Sequence, residues 1–414
     1  MLTGRKYRAY LEQNQAEYAE TIGGACRSVW NTGLEQRRGY RRRGAWINYR
    51  EQARELAEAK REHTWLKLVP GHCLQQTLMD LDKACRTHGT WKVNWRGKGG
   101  KHFWSPAFRF PEGNKIRVER IGRKWGRAKL PKIGWVKFRW SRPLGGAVRS
   151  ATLKRDGRHW YLSFLVETGK PEPTVSLARG RVGIDRGVAV AVATSDGRFF
   201  DREFLTPGER QRLLRLERQR NRCQQRSKRR EAVKAKIRVI RRRERDRRAA
   251  FHAQTAAAVV HGNGLVVLEA LNARGMTASA KGTVAEPGTN VAQKAGLNRA
   301  ILDKGWHSLE LAVRNVARRM GVTVRTVNPA YTSQTCPACE MVDADSRESQ
   351  AKFVCTACGR REHADTVGAK NTLARGHSGH RAWRPRGCPV REASTSVNPQ
   401  GINAPAVEVG IPRL

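Results

Sequence analysis

The sequence predicts an α+β multidomain protein: a helical segment, a partly open β-barrel, and a sheet domain that carries a cysteine-rich ribbon. Three observations predict it. Apolar residues recur at helical spacing up to about residue 90, then give way to short alternating runs rich in tryptophan. Two later apolar segments each end in an acid, Asp185 and Glu269. Two Cys-x-x-Cys pairs, Cys336/Cys339 and Cys355/Cys358, lie between Glu269 and a third acid, Asp365.

The first ten residues are short and basic and suit a first strand. From Leu11 to about Thr90, Ala16, Ala19, Ile22, Cys26, Val29 and Trp30 share one helical face, as do Ala53, Leu56 and Ala57. Leu74, Leu78 and Leu81 mark a third helix, separated from the second by Pro70-Gly71. Residues 91–170 hold seven of the 12 tryptophans: Trp91, Trp95, Trp104, Trp125, Trp135, Trp140 and Trp160. The runs Trp135–Trp140 and His159–Val166 alternate as strands, with turns at Pro143–Gly146 and Asp156-Gly157. Aromatics interleaved with Arg and Lys can stack nucleobases on a basic face; the plain alternative is that they fill a barrel core.

Residues 171–181 read as a linker. Arg181–Asp185 and Val188–Thr194 then form a strand meander that turns at Asp196-Gly197. A long arginine-studded helical stretch follows, over roughly 208–261, with a narrow apolar stripe of Leu213, Leu216, Val233, Ile237 and Ile240. Leu265–Leu268 suits a buried strand. Residues 273–297 read as a mobile loop, Ile301–Met320 as an amphipathic helix closed by Gly321, and Val322–Val327 as a strand. A last helix is expected over roughly 364–375, and the Gly-, Pro- and Arg-rich residues 377–414 as a disordered tail.

Composition limits the function. Against 36 Asp+Glu stand 81 Lys+Arg, a formal net charge of +45 over 414 residues. A compact chain with that surplus repels itself unless a polyanion neutralises it, which points to nucleic acid. There is no apolar run of about 18 residues and no secretory signal at the start, so no membrane partner and a prokaryotic cytoplasm are expected. Five of the nine cysteines, Cys26, Cys73, Cys85, Cys223 and Cys388, lack disulfide-like spacing, which fits a reducing compartment.

The three acids suit phosphodiester chemistry. Two divalent cations can activate a water and neutralise the phosphoryl and leaving oxygens, and carboxylates from several elements must converge to hold them. Mg²⁺ favours such a sparse acidic set. Asp185 and Glu269 at strand ends with Asp365 at a helix start is the arrangement an RNase H-like core uses. Taken singly, each acid also suits a turn, a sheet edge or a helix N-terminus. Asp196, Asp201 and Asp303 read as turn, surface or helper residues. Cys336, Cys339, Cys355 and Cys358 fill all four positions of a tetrahedral Zn²⁺ site, so that zinc is structural. His363 lies close but outside the thiolate set, where it can line the acidic site.

These residues resemble TnpB, the transposon-encoded RNA-guided nuclease family, and its relatives the miniature type V CRISPR effectors. The resemblance rests on Val182-Gly183-Ile184-Asp185-Arg186-Gly187, Val267–Asn272, Thr332-Ser333-Gln334-Thr335-Cys336-Pro337-Ala338-Cys339, and Ala364-Asp365 through Ala369-Lys370-Asn371. Lys129–Phe138 and Gln75–Asp82 add to it, so it spans about 5–375. It implies a helical recognition domain, 11–90, inserted in a wedge-like β-barrel of 1–10 and 91–170. A RuvC-like nuclease domain, 181–330 and 361–376, follows and carries a zinc ribbon at 331–360. It further implies a guide RNA, a short duplex motif read beside the target, and Mg²⁺-dependent cleavage of DNA paired in an RNA–DNA heteroduplex, with one or two protein copies per guide. Asp185, Glu269 and Asp365 match the family's three catalytic acids. The chain departs from the family at Val367, where Asn is common, and Gly368, where Ala is usual. A guided DNA binder that no longer cuts and acts as a repressor is the rival reading.

Overall fold

The computed structural model describes residues 1–99, 102–169, 171, 173–174, 180–283 and 285–377. The expected tail from residue 378, Cys388 and most of the expected linker lie outside the described residues. Among the described residues two compact units form, one over Met1–Pro171 and a second over 173–377.

In the first unit, β1 (Leu2–Tyr10) is followed by four helices: α1 (Gln13–Arg42), α2 (Tyr49–Glu62), α3 (Thr64–Leu68) and α4 (Gly71–His88). Asn48 caps α2 through a reciprocal box with Glu51. The strands β2 (Ala107–Phe110), β3 (Arg117–Arg120), β4 (Trp125–Leu130), β5 (Gly134–Arg139), β6 (Ala147–Asp156) and β7 (His159–Glu167) complete the unit. They join β1 in one antiparallel sheet of order β2-β6-β7-β1-β5-β4-β3. The helices are thus inserted between two strands of one sheet. Tyr7, Phe138 and Phe164 meet at its centre, with ring centroids 5.1–5.9 Å apart.

The sheet answers the expected partly open barrel only in part, since no closed barrel forms among the described residues. Its edges, β2 and β3, are four-residue strands that pair on one side only, so the sheet stays open. The tryptophans largely serve the core, as the plainer expectation has it: Trp160 lies in it and Trp95, Trp104 and Trp140 pack against it. Trp160 is buried, but most of the others are half-buried and covered by cations. The Arg96 guanidinium lies 4.7 Å from the ring of Trp104, Arg127 4.3 Å from Trp135, and Lys137 4.5 Å from Trp125. The rings therefore spend their faces on the protein's own cations.

The second unit holds a five-stranded mixed sheet. Its strands are β8 (Gly180–Asp185), β9 (Val192–Thr194), β10 (Phe199–Phe200), then, beyond the helical hairpin of α5 (Pro207–Arg222) and α6 (Lys228–Val260), β11 (Asn263–Glu269). After α7 (Ala273–Met276), α8 (Val291–Lys304) and α9 (Trp306–Met320) comes β12 (Thr323–Val327). The order is β10-β9-β8-β11-β12, with β8, β11 and β12 parallel and β9 antiparallel to β8. A small hairpin, β13 (Lys352–Val354) with β14 (Arg361–His363), leads into α10 (Ala364–His377). The core beneath the sheet joins Val182, Ile184, Val266 and Leu268 to Val259 of α6 and Leu309 and Val313 of α9.

Three expected elements are redrawn. The single long helix over 208–261 is a hairpin: Arg226 turns left-handed (φ 65°) and Ser227 caps α6 by accepting from the Arg230 amide. Residues 291–297, expected as loop, belong to α8. The expected Ile301–Met320 helix divides at Gly305 (φ 67°), which ends α8 and starts α9. Among the described residues, no helix is long and apolar enough to cross a membrane.

Candidate active site and metal centre

The C-terminal ends of β8 and β11 lie side by side because the strands are parallel, with Leu268 opposite Ile184. That register sets Asp185 beside Glu269. Helix α10 crosses the same strands at very short range. A side chain at Gly183 would collide with the main chain of α10 at Ala369 and Leu373, so only glycine permits this approach. Asp365, in the first turn of α10, is thereby brought to the other two acids. At Gly368, one turn on, a Cβ would lie 3.2 Å from Asp185 Oδ2.

All three carboxyl groups are withdrawn from water and perturbed in the same direction. Burial pushes Asp185 well above the ordinary carboxylate range, and the charges of Glu269 and Asp365 and a hydrogen bond shared with Glu269 add to it. Burial also raises Glu269, against the opposing pull of the Thr332 hydroxyl, the Asp185 hydrogen bond and Arg186. Burial raises Asp365, while His363 and Arg347 act in the other direction. Carboxyls brought together from three elements, each with its charged form disfavoured by burial, are a donor set that fits a divalent cation.

Around them stand residues that sequence reasoning did not assign. Thr332 Oγ1 donates to Glu269 Oε1 at 2.7 Å. Arg186, 4 % exposed, donates to the Glu269 carbonyl and pairs with Glu310 at 3.2 Å. Arg347 of the ribbon reaches within 3.9 Å of Asp365 Oδ1. Arg186, adjacent to Asp185, and Thr332, which opens the segment Thr332–Cys339 that resembles the family, left a signal in the sequence; Arg347 left none. His363 does line the cluster: its Nδ1 accepts the Asp365 amide at 3.3 Å, and its ring meets the edge of exposed Phe199 at 4.7 Å. The other acids lie elsewhere. Asp196 pairs with Arg198, Asp201 with Lys304, and Asp303 is exposed 3.9 Å from Arg248.

The four ribbon cysteines form the group, among the described residues, whose ligand atoms all lie within 4.8 Å of one another; the carboxylates do not draw that close. Cys336 and Cys358 Sγ are 3.6 Å apart, and Cys339 and Cys355 Sγ 3.5 Å. A tetrahedron with zinc–sulfur bonds of about 2.3 Å has edges of about 3.8 Å, so the donor set fits zinc. Burial raises the Cys355 thiol, but the Cys358 and Ala357 amides and neighbouring thiols outweigh it and bring its pKa to about 7. Val367 is fully buried with Cys336, Phe353, Cys355 and Ala364. The residue that departs from the family pattern thus packs into the ribbon core.

A mixed sheet that gathers buried acids beside a four-thiolate ribbon, in a chain with a formal charge of +45, defines an α+β protein built to handle nucleic acid. Comparison places it further. The chain is 36% identical over 362 residues to a putative RNA-guided DNA endonuclease, InsQ, of Escherichia coli, covering 86% of this chain and 88% of that one. It is 28% identical to a putative RNA-guided DNA endonuclease of Streptomyces pristinaespiralis, covering 99% and 98%. The chain belongs to the TnpB-like family that includes the miniature type V effectors. Its family models are a Cas12f1-like TNB domain over 306–372, a probable transposase over 163–280 and a helix-turn-helix domain over 1–45. In the last span the chain forms a strand and one 30-residue helix instead. A solved chain from a Cas12f1–sgRNA–target DNA complex shares the fold, with a TM-score of 0.50 at 12% identity over 90% of this chain and 98% of that one.

Proposed function

We propose that this protein is an RNA-guided DNA endonuclease. It holds a guide RNA, opens duplex DNA beside a short motif, and leaves sequence specificity to RNA–DNA pairing. One observation carries the reading. Asp185, Glu269 and Asp365, drawn from β8, β11 and α10, converge as carboxyls that burial holds above their ordinary range, with Asp185 raised further by the other two, in a strongly basic chain. The relatives named RNA-guided endonucleases support it.

The three acids would hold Mg²⁺, as two ions in the full site. That pair, when bound, supplies an activated water and neutralises the phosphoryl and leaving oxygens. The chain's own groups do the rest. Arg347, beside Asp365, offers a guanidinium to a non-bridging phosphate oxygen. With Nδ1 accepting from the Asp365 amide, a neutral His363 carries its proton on Nε2. The β8–β11 domain is then a RuvC-like nuclease core, the ribbon a structural zinc module, and the helical insertion with the open sheet the grip on guide and target. Purified complex is expected to contain one discrete structured RNA and to cut matching DNA with Mg²⁺ but not with EDTA. Tight target binding with both strands left whole in Mg²⁺ would instead establish the non-cutting repressor.

A further inference from the structure

Glu269 ends β11 with 5 % exposure, and one oxygen of its carboxylate accepts the Thr332 hydroxyl at 2.7 Å. Thr332, itself 4 % exposed, lies outside the sheet, in the segment that joins β12 to the first ribbon knuckle. That segment is fastened to α10 at two levels. Asn371 spends both amide protons on it, donating to the carbonyls of Thr332 at 2.8 Å and Thr335 at 2.7 Å. Arg375 donates to the carbonyls of Asn328 at 2.8 Å and Ala330 at 2.6 Å. Within the segment, Thr335 Oγ1 donates to the carbonyl of Tyr331, whose φ of 62° is one that side-chain-bearing residues seldom adopt. The next residue is the ligand-type Cys336.

We propose that residues 328–335 form a strut that positions the Glu269 carboxylate for cation binding, with Thr332 as its contact residue. The inference rests on the reading of the three acids as a cation site. The Thr332 hydroxyl has one proton and two acceptors in range, Glu269 Oε1 at 2.7 Å and the Pro329 carbonyl at 2.9 Å. A charged carboxylate is the stronger acceptor. The hydroxyl therefore pins Oε1 and fixes the rotation of the carboxylate, leaving Oε2 free of that bond. The same strut hangs from α10, which carries Asp365, and from Cys336. Acids on two elements are thus set relative to one another by a loop that belongs to neither. Partners of metal-ligating side chains act in this way, and their removal lowers metal affinity by roughly 10–100-fold.

The test compares Thr332→Val, which keeps shape and loses the hydroxyl, with Thr332→Ser, which keeps the hydroxyl. Both are made in the full protein–RNA complex, with Asp185→Ala as reference. Mg²⁺ affinity is read by calorimetry, zinc content by plasma emission, and the Mg²⁺ concentration for half-maximal cleavage separately from the maximal rate. Thr332→Val is expected to weaken Mg²⁺ binding about tenfold and to raise the half-saturating Mg²⁺ concentration by the same factor. Zinc content stays at the parental level, and Thr332→Ser restores the parental affinity. Parental Mg²⁺ affinity in Thr332→Val, or equal loss in both variants, overturns the positioning role. Loss of zinc in Thr332→Val overturns it too, because the segment then serves the ribbon's own fold. If Asp185→Ala binds Mg²⁺ like the parent, the cation site itself is misassigned and both readings fall.

Discussion

The thiolate ribbon and the carboxylate cluster share helix α10, yet they are held together by opposite means. In the ribbon, two short knuckles bring four sulfurs within 4.8 Å through local turns, and Cys355 and Gly359 are joined by a hydrogen bond of 2.9 Å. The acids come from segments far apart in the chain and are pressed together by the packing of β8, β11 and α10, where burial and the charges of Glu269 and Asp365 disfavour ionised Asp185. One set of donors is a product of its own backbone. The other is imposed by the fold against its own electrostatics. On α10 the two meet: Ala364 and Val367 lie in the ribbon core while Asp365 faces the acids.

Removing a ligand from each set should therefore have opposite effects on stability. Cys336→Ala is expected to have the largest effect. Zinc binding to such sites is worth about 10–16 kcal/mol, so zinc content should vanish and residues 331–363 should lose protection from amide exchange. Because Val367 packs on Cys336, the loss should spread into α10. Unchanged exchange in α10 would separate the two regions. Asp185→Ala should lower cleavage at least about 10³-fold while target binding persists. Without divalent ions it should also raise the stability of this unit, by removing a carboxyl whose charge burial disfavours. A lower melting temperature for this variant would show that Asp185 is held by favourable contacts and not forced into place.

The contrast also explains what was legible in the sequence. The ribbon's spacing is local, so its four ligands could be read directly. The acids could be read because each ends an apolar strand or starts a helix. The contacts of Thr332, Asn371 and Arg347 could not, although the first two lie in segments that resemble the family, since each acts through a partner placed by tertiary packing: Thr332 and Glu269 are 63 positions apart. The strands of the tryptophan-rich region were visible from alternation. Whether they close into a barrel depends on strand number, tilt and register, which alternation does not fix. The hairpin in the arginine-rich stretch was hidden because Gln224-Gln225-Arg226 contains no glycine or proline to mark the turn. Gly305, by contrast, was visible, but a lone glycine in an amphipathic pattern does not distinguish a break from a tolerated residue.

Acidity offers a gentler way to sharpen the comparison. Asp185, Glu269 and Asp365 all titrate above their ordinary range in the fold, so the folded state binds their protons more tightly than the unfolded chain does. Their contribution to stability is fully present below the ordinary carboxylate range and is lost as pH rises through the folded values. In chelator that leaves zinc bound, the melting temperature attributable to this cluster should fall over that interval, and Asp185→Ala should flatten the fall. Stabilisation by added Mg²⁺ should grow over the same interval, since bound cation displaces the protons. The ribbon runs the other way, because its thiolates must be deprotonated to hold zinc and acid releases it. A Mg²⁺ effect independent of pH would place the cation away from these carboxyls.

The smallest expected effect lies in a local strain beside one knuckle of the ribbon. Each knuckle ends in a left-handed residue just after its second cysteine: Gly359 at φ 69° and Glu340 at φ 60°. Glycine adopts this conformation freely, whereas a side-chain-bearing residue gives up roughly 1–2 kcal/mol. Glu340→Gly removes that strain but frees the unfolded chain, which returns about 0.4–1 kcal/mol. The net gain should therefore be only about 0.5 kcal/mol, read as slower zinc release to a chelator, while Gly359→Ala should speed release. If Glu340→Gly also speeds it, the contacts of the Glu340 side chain outweigh the backbone strain, and even this locally built site depends on side-chain packing as the carboxylate cluster does.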